Sequence, residues 1–435
     1  MTMPHSLDIF LNDRRVGTIT NFDNDQNVFV FDKDYVNDED RPMLSLGFFD
    51  VTGTLATQTR RPQTRLLPFF ANLLPEGHLR NYLAEQAHLN PIRDFPLLWL
   101  LGGDLPGAVI ARHTEGQHVP PTDDNVVPTA IERDPKILKF SLAGIQLKFS
   151  AIRETSGGLT IPVHGQNGNW ILKMPSTTYS RVPENEFAMM TFAGSVGIEV
   201  PEIDLVDPFS VQNLPEVRTD LGKAFLIKRF DRGPNGQRVH IEDFAQVFNQ
   251  YPEDKYKNVS YANMLKGIYR VMGADQAEEF VRRLVLTIAI GNADMHLKNW
   301  SVIYRDGKTP VLAPAYDYLS TIMYIRNDQL ALTIVRERDW SAITYDLLER
   351  FARRAEVPRG LVLSAARDMV ARVHEKWPKM LSSLTAPEFE DGIKLKEHLR
   401  SIPIFQLKSL TQRSLIDLSL SDKTARQDAH PTEIA

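Results

Sequence analysis

The stretch Gly291-Asn292-Ala293-Asp294-Met295-His296-Leu297-Lys298-Asn299-Trp300 decides how this chain of 435 residues is interpreted. It follows an apolar run with the pattern of a helix, residues 284–290, and precedes a run with the pattern of a strand, residues 300–304. Polar side chains so dense between two buried elements are costly unless they have partners or a chemical role. The stretch is therefore the first candidate for a catalytic loop.

The spacing of Asp294 and Asn299, D-x-x-x-x-N, is that of a protein-kinase catalytic loop. In such a loop the aspartate orients an acceptor hydroxyl and takes its proton, and the asparagine carbonyl oxygen binds Mg²⁺. Asp317 follows after a gap that fits a strand pair turning at residues 305–307, which would bring it back beside Asn299. Asp317 is then the second predicted Mg²⁺ ligand, although Tyr and Leu follow it and the D-F-G signature is absent. The alternative is a hydrogen-bonded loop with scattered solvated acids.

Upstream, the segment 170–175 places a single lysine, Lys173, in an otherwise apolar strand. A lysine there is expensive unless it meets an anion, so Lys173 is the candidate contact to the nucleotide phosphates, although it could instead reach water at a strand edge. Glu186, at the start of a predicted helix, is its candidate ion-pair partner. Phe230, in Arg229-Phe230-Asp231-Arg232, could stack on adenine where two lobes meet. The segment 141–148 has one glycine and reads, from its residues alone, as a turn.

The order of apolar patterns predicts an α+β protein in which a small N-terminal α+β domain precedes a kinase-like pair of lobes, one rich in strands and one helical. Residues 7–11 and 16–19 predict a hairpin, residues 28–31 and 44–49 further strands, and residues 69–87 helical structure. A single helix is expected at 184–195, and a hairpin at 300–313 within the helical lobe. The predicted divisions are the N-terminal domain 1–112, a linker 113–135, the β-rich lobe 136–232, the helical lobe 233–420 and a disordered tail 421–435.

The composition excludes several classes of site. The chain has no cysteine, which removes disulfides, thiolate nucleophiles and Cys-ligated metal centres. A net charge of −5 gives no field that would draw the whole molecule onto nucleic acid or an anionic membrane. The N-terminus lacks the pattern of a signal peptide, and the apolar runs are too short for a membrane helix. We therefore expect a cytoplasmic protein without a membrane partner.

Several segments resemble, in order, the blocks of HipA-like serine/threonine kinases. They are FFANLLPEG (69–77), GGDLPGA (102–108), SLAGIQLK (141–148), WILKMPS (170–176), NEFAMMTFAGSVGIEVPE (185–202), KRFDR (228–232), HIEDFAQ (240–246), GNADMHLKNWS (291–301) and APAYDYLST (313–321). The resemblance covers roughly residues 5 to 420. It implies ATP and Mg²⁺ as cofactors, Asp294 as the catalytic base and Asn299 and Asp317 as metal ligands. Nucleotide contacts are implied for Ser141, Ala143, Gly144, Ile145, Gln146, Lys148, Lys173, Lys228, Arg229, Phe230, His296, Lys298, Asn299 and Asp317.

The resemblance also implies a biological setting. Ser141 falls where the family autophosphorylates a serine at the head of its phosphate-binding loop, and modification ejects that loop and silences the kinase. The family's toxicity comes from phosphorylating glutamyl-tRNA synthetase or, in relatives, another tRNA synthetase. A helix-turn-helix antitoxin, HipB, binds the kinase and docks the complex on operator DNA. One departure concerns the position two residues after Asp294, where eukaryote-like kinases have a lysine and this chain has His296, with Lys298 two residues on.

Two other functions stay open from the sequence. A lipid kinase of related fold could carry the same D-x-x-x-x-N loop, although no basic amphipathic helix for a membrane surface is apparent. A DNA-bound corepressor with a dispensable kinase site would use the locally basic region after residue 347. The arginines of that region are Arg350, Arg353, Arg354, Arg359, Arg367 and Arg372, interleaved with acidic residues as on a solvated helical face.

Overall fold

The computed structural model describes residues 5–50, 52–114, 148–153, 158–161, 168–176, 178–214, 222–325, 327–383 and 389–406. The tail predicted at 421–435, and all but two residues of the linker predicted at 113–135, lie outside these ranges. Within the described residues, no helix is both long and apolar enough to span a membrane.

The N-terminal unit, residues 5–114, is built on a four-stranded antiparallel sheet in the order β3-β2-β1-β4. Its strands are β1 (His5–Leu11), β2 (Arg14–Asn21), β3 (Asn27–Phe31) and β4 (Val109–His113). Inward side chains alternate with outward ones along β1, as expected for a sheet with one buried face. The predicted hairpin and the strand predicted at 28–31 are confirmed.

Four helices complete this unit: α1 (Lys33–Asn37), α2 (Pro68–Ala71), α3 (Gly77–Gln86) and α4 (Asp94–Leu101). The helical region predicted at 69–87 is interrupted after Ala71, where Pro75 precludes a continuous helix. The strand predicted at 44–49 is wrong. Ser45 accepts a hydrogen bond from the amide of Gly47 and starts a 3₁₀ turn, Leu46–Phe48, so local side-chain bonding outweighs the apolar alternation.

The β-rich lobe is a six-stranded sheet in the order β8-β10-β7-β5-β6-β9, crossed by one helix. Its strands are β5 (Lys148–Arg153), β6 (Leu159–Thr160), β7 (Trp170–Lys173), β8 (Ile203–Val206), β9 (Val211–Gln212) and β10 (Ala224–Lys228). The helix α5 (Val182–Ser195) packs on β8 and β10 and confirms that a helix lies where one was predicted, at 184–195. The sheet therefore presents β7 at its centre, with Lys173 at the end of that strand.

The described residues after β10 form the helical lobe. Its helices are α6 (Phe244–Val247), α7 (Tyr261–Met272), α8 (Ala274–Ala289), α9 (Tyr345–Ala355), α10 (Arg359–Ser383) and α11 (Phe389–Ser401). A small sheet, β11 (His240–Asp243), β12 (Ser301–Tyr304) and β13 (Val311–Leu312), includes the hairpin predicted at 300–313. α8 packs between α7 and α10, so the catalytic-loop candidate follows a helix that is enclosed by two others.

Two hydrophobic cores hold these parts together. One combines the N-terminal unit with one face of the six-stranded sheet and includes Phe70, Trp99 and Leu172. The other combines α5 with the helical lobe and includes Met190, Phe280 and Trp300. Because apolar packing runs from the N-terminal unit into the β-rich lobe, these two parts form one packed body.

A buried carboxyl, Glu242 on β11, joins the N-terminal unit to the helical lobe. It accepts hydrogen bonds from the Ser45 hydroxyl, the Leu46 amide and the Tyr304 hydroxyl. Burial raises the pKa of Glu242 to about 7, and the three donors only partly oppose that rise. A carboxyl with a raised pKa favours folding while it is protonated, so its contribution is lost as the pH rises from its ordinary value of 4.5 through about 7.

We expect Glu242→Gln to cancel this pH dependence, because the amide has the shape of the protonated carboxyl and no charge to bury. Thermal melting of both proteins from pH 5 to pH 8 should show wild type losing stability relative to the variant as the pH rises. A difference between the two proteins that stays constant over this range would show that Glu242 is already ionised in the folded state.

Candidate active site

A cleft of about 1110 Å³ lies where the three parts of the molecule meet. The predicted site residues of the described ranges all line it: Lys148, Lys173, Lys228, Arg229, Phe230, Asp294, His296, Lys298, Asn299 and Asp317. The N-terminal unit adds a wall formed by Asn72, Leu73, Glu76, Leu79 and Tyr82. Residues separated by more than two hundred positions in sequence thus share one cavity, as expected of a ligand site between lobes.

The catalytic-loop candidate has a defined backbone path at the end of α8. Gly291 turns the chain with φ of +62°, and a Cβ there would lie 2.7 Å from the Ile322 side chain, so glycine suits both the turn and the space. The Asn292 side chain connects two parts of the site. Its Oδ1 accepts a hydrogen bond from the Asp294 amide at 3.0 Å, and its Nδ2 donates one to the Asp317 carbonyl at 3.0 Å. Asn299 donates from Nδ2 to the Asp294 carbonyl at 2.8 Å, which leaves its Oδ1 as the atom able to bind a cation.

Asp294, the predicted base, faces the open part of the cleft with 51% of its side chain exposed. The Tyr256 hydroxyl donates a hydrogen bond to its Oδ1. The cleft walls around Asp294 raise the pKa of its carboxyl by desolvation, and the Tyr256 hydrogen bond and the Lys255 charge oppose that rise. The geometry leaves one carboxylate oxygen anchored and the other able to meet an acceptor hydroxyl.

Lys173 is the charged centre of the cleft. Its Nζ lies 2.5 Å from Glu186 Oε1 on α5, and it also forms an ion pair with Asp317. Burial would lower the pKa of Lys173, but the charges of Asp317 and Glu186 outweigh burial and raise it, so the ammonium keeps its proton. The ion pair that we predicted between Lys173 and Glu186 is present in the structure. One lysine thus connects the β-rich lobe to the loop that carries Asp317.

Asp317 has the features of a cation ligand. Burial alone would raise the pKa of its carboxyl, but Lys173 and Lys148 lower it to about 2, so the group is ionised. Its backbone has φ of +57°, an uncommon conformation for a residue other than glycine and one that the Asn292 bond to its carbonyl supports. Asn299 and Asp317 offer hard oxygen ligands that suit Mg²⁺, which also keeps water and phosphate oxygens. Within the described ranges, no group of three His, Cys, Asp or Glu side chains could hold a metal without such help.

The two candidates for a cation near the transferred phosphoryl group have different environments. His296 is buried, its Nε2 is 3.9 Å from Asp294 Oδ1, and desolvation followed by the Lys255 charge lowers its pKa to about 3. Its imidazole is therefore neutral at pH 7. Lys298 is also buried, and its Nζ lies 2.9 Å from the Asn72 carbonyl oxygen and 3.0 Å from Glu76 Oε1. The lysine is held against the N-terminal unit by these contacts.

The segment 228–230, where the β-rich lobe passes into the helical lobe and which we call the hinge, has mixed surroundings. Phe230 lines the cleft, and its ring centroid is 5.6 Å from that of Tyr316, which leaves an aromatic surface where adenine could stack. Lys228 is half-exposed and pairs with Glu202 at 3.1 Å. Arg229 is buried and bonded to Asp231 at 2.8 Å and to Asp104 at 3.5 Å. The Arg229 side chain is thus engaged with the N-terminal unit, and its backbone amide donates to the Asn169 carbonyl at 2.9 Å.

Five predicted nucleotide contacts lie outside the described residues: Ser141, Ala143, Gly144, Ile145 and Gln146. Lys148, at the start of β5, is described and lines the cleft. In the basic region considered for DNA, Arg359 pairs with Glu349 at 2.7 Å and Arg372 with Asp368 at 2.9 Å. These two arginines are thus partly neutralised by carboxylates of neighbouring turns or helices.

The cleft residues that were given no role in the sequence interpretation include Asn72, Glu76, Lys255 and Tyr256. They come from the N-terminal unit and from the segment before α7, far from the catalytic loop in sequence. The block at 69–77 was recognised as a motif. That its side chains face the catalytic loop depends on how the N-terminal unit packs against the helical lobe, which the motif does not indicate. Nothing in the local pattern at 255–256 distinguishes it from a polar turn.

Family models match both parts of the chain. The model described as the HipA-like C-terminal domain matches residues 140–377, and the model described as the HipA N-terminal domain matches residues 7–112. A relative from Sinorhizobium fredii named "Putative kinase Y4dM" is 49% identical over 379 residues, covering 85% of this chain and 91% of the relative.

Two further comparisons concern Shewanella oneidensis. Its serine/threonine-protein kinase toxin HipA is 26% identical over 389 residues, covering 81% of this chain and 86% of the relative. A solved complex of HipA, HipB and operator DNA from this organism contains a chain with a TM-score of 0.66 and 21% identity. The match covers 92% of this chain and 96% of that one. This structural match supports the kinase-like two-lobe fold.

Replacing Lys173 should destabilise the protein through the two carboxylates that it neutralises. We expect Lys173→Met to lower the free energy of unfolding by about 3 kcal/mol, because Glu186 and Asp317 would face each other with no cation between them. Urea denaturation at pH 7 measures this change. Adding Glu186→Gln to Lys173→Met should restore part of the loss, and a single variant as stable as wild type would contradict the assigned ion pairs.

Proposed function

The chain belongs to the HipA family, and from that premise we propose that it is a Mg²⁺- and ATP-dependent serine/threonine kinase that acts as the toxin of a toxin–antitoxin pair. The observation that carries the proposal is the arrangement of Lys173 between Glu186 and Asp317 in the cleft that also contains Asp294 and Asn299. Phosphoryl transfer needs this combination of a phosphate-binding cation, oxygen ligands for a metal and a base.

In the proposed reaction, Lys173 holds the α- and β-phosphates of ATP, and the Phe230 surface receives the adenine. Asn299 and Asp317 would bind Mg²⁺, which neutralises phosphate charge when bound. Asp294 orients a serine or threonine hydroxyl whose oxygen forms a bond to the γ-phosphorus. The bond between that phosphorus and the β–γ bridging oxygen breaks, ADP leaves, and the hydroxyl proton passes to Asp294.

The family also suggests the partners. The Shewanella neighbour was solved with HipB and operator DNA, and we propose that this chain likewise binds a helix-turn-helix antitoxin. With a net charge of −5, the chain would contact operator DNA mainly through that antitoxin. The proposed protein substrate is a tRNA synthetase, with glutamyl-tRNA synthetase as the first to test.

We further propose that Ser141 is phosphorylated by the kinase itself. A phosphoserine carries about −1.5 to −2 charges, which would repel the ATP phosphates from a nearby loop. Modification at this position would therefore switch the kinase off.

Intact-mass analysis after incubation with ATP and Mg²⁺ tests the base and the serine together. We expect wild type to gain one phosphate, Ser141→Ala to gain none there, and Asp294→Asn to gain phosphate at a rate lower by a factor of about 10² or more. Asp294→Asn keeps the shape of the side chain and removes only its basicity.

The outcomes separate the proposed kinase from the corepressor alternative. Phosphate uptake by Asp294→Asn as fast as by wild type would show that another group is the base. A wild-type protein that gains no phosphate, does not label a tRNA synthetase, and still represses with its antitoxin would favour a corepressor. Repression by Asp294→Asn equal to that of wild type is expected under both functions, so it does not discriminate between them.

The hydrogen bond from Tyr256 to Asp294 generates a pH prediction. The base works when ionised, so the rate falls on the acid side of the pKa of Asp294. Tyr256→Phe removes a bond that lowers this pKa, and we therefore expect the acid limb of the rate profile to move to higher pH. Initial rates of phosphate transfer between pH 5 and pH 8 measure the shift. A profile that moves to lower pH, or stays in place, would contradict the role given to Tyr256.

A further inference from the structure

Glu76 has an unusual position for a residue at a helix start. It is the N-cap of α3, yet its side chain makes no capping hydrogen bond. Its carboxylate instead lines the cleft, where Oε2 lies 2.9 Å from Lys255 Nζ and Oε1 lies 3.0 Å from Lys298 Nζ. One carboxylate of the N-terminal unit thus bridges two lysines of the helical lobe.

Each of these lysines is connected to the catalytic-loop candidate. Lys298 precedes Asn299 in the loop itself. The Lys255 carbonyl accepts a hydrogen bond from the Leu297 amide at 3.2 Å, and the next residue, Tyr256, donates to Asp294. Glu76 therefore contacts the surroundings of the loop at two points. Through Lys298 it is next to the metal-ligand candidate Asn299, and through Lys255 it is next to Tyr256, which bonds to Asp294.

The charges make the bridge a strong constraint. The side chains of Glu76, Lys255 and Lys298 are 13%, 9% and 8% exposed, so solvent screens their attraction little. Burial alone would raise the pKa of Glu76, but the charges of Lys298 and Lys255 lower it to about 2, so the carboxylate stays ionised at neutral pH. Asp243 lies 3.6 Å from Lys298 and could not replace Glu76 at Lys255, which it does not contact.

We propose that Glu76 is a positioning residue for phosphoryl transfer, through which the N-terminal unit fixes Lys255, Lys298 and the catalytic loop in the geometry that the reaction needs. This inference rests on the proposed kinase function. It assigns the N-terminal unit a part in the reaction itself, in addition to any part in holding the molecule together. Loss of the bridge should affect the rate of the bound complex more than nucleotide binding, because the ATP-phosphate candidate Lys173 lies on the other lobe.

The kinetic test compares Glu76→Gln and Glu76→Asp with a matched control, Glu253→Gln. Glu253 forms an exposed ion pair with Arg65 at 2.6 Å, so its replacement also breaks a contact between the N-terminal unit and the helical lobe, but outside the cleft. We expect Glu76→Gln to lower kcat at least about tenfold while KM for ATP changes less than about threefold. Glu76→Asp should recover part of kcat, and the control should stay within about twofold of wild type.

A second measurement does not need kinase activity. Amine acylation followed by peptide mass spectrometry reports how accessible each lysine is, and Lys257, which is 67% exposed, is an internal standard. We expect Lys255 and Lys298 to react faster in Glu76→Gln than in wild type, relative to Lys257, and to be unchanged in the control. Thermal melting of all variants identifies a protein that has failed to fold, and in that event Glu76→Asp carries the test.

The results separate the two proposals. Faster acylation together with a lower kcat supports the positioning role. Faster acylation with unchanged kcat, or a kcat lowered equally in Glu253→Gln, would overturn it, since the bridge would then be structural. Unchanged acylation would show that the bridge is absent. A further outcome is that wild type transfers no phosphate while Lys255 and Lys298 are still acylated faster in Glu76→Gln. The kinase function and the positioning role would then both be wrong, whereas the ion-pair bridge itself would be verified.

Discussion

A buried ammonium, that of Lys173, imposes the constraint on which the cleft depends. An isolated charge at this depth would cost several kcal/mol, so the chain must place anions around it. It does so from two separate elements, with Glu186 on α5 and Asp317 in the segment after β13. Because the two carboxylates belong to different lobes, neutralising one lysine fixes the lobes relative to each other and brings the candidate metal ligand Asp317 beside Lys173.

The N-terminal unit is joined to the rest of the molecule by further polar contacts, only some of which lie in the cleft. Asp104 forms an ion pair with Arg232 at 2.7 Å beside the hinge. Glu242 accepts a hydrogen bond from the Ser45 hydroxyl. Glu76 forms ion pairs with both Lys255 and Lys298. The contacts of Asp104 and Glu76 are ion pairs with little exposure to solvent, and buried charge pairs add little to net stability compared with apolar packing. What they add is position, since each pair is favourable only at one separation and orientation.

The sequence predicted the elements and the local site better than the contacts between parts. The D-x-x-x-x-N spacing, the hairpin after it and the lone lysine of β7 are local patterns, and their residues lie together in the cleft. The 3₁₀ turn at Ser45 was missed because the local hydrogen bond from the Gly47 amide to the Ser45 side chain is not visible in the apolar alternation. Glu76, Lys255 and Tyr256 were missed because their partners lie in other parts of the chain. The roles of these residues depend on which surfaces of the N-terminal unit and the helical lobe pack together. The hydrophobic periodicity of each segment does not determine that packing.

A third wall built from the N-terminal unit has a consequence for control of the reaction. In a cleft formed by two lobes alone, lobe motion would be limited only by the hinge. Here the N-terminal unit contacts the hinge through Asp104 and the catalytic loop through Glu76, so opening the lobes would strain one of the two connections. Under the positioning role proposed for Glu76, a molecule that binds the N-terminal unit and tilts it would change the cleft without entering it, because the tilt would separate these charge pairs.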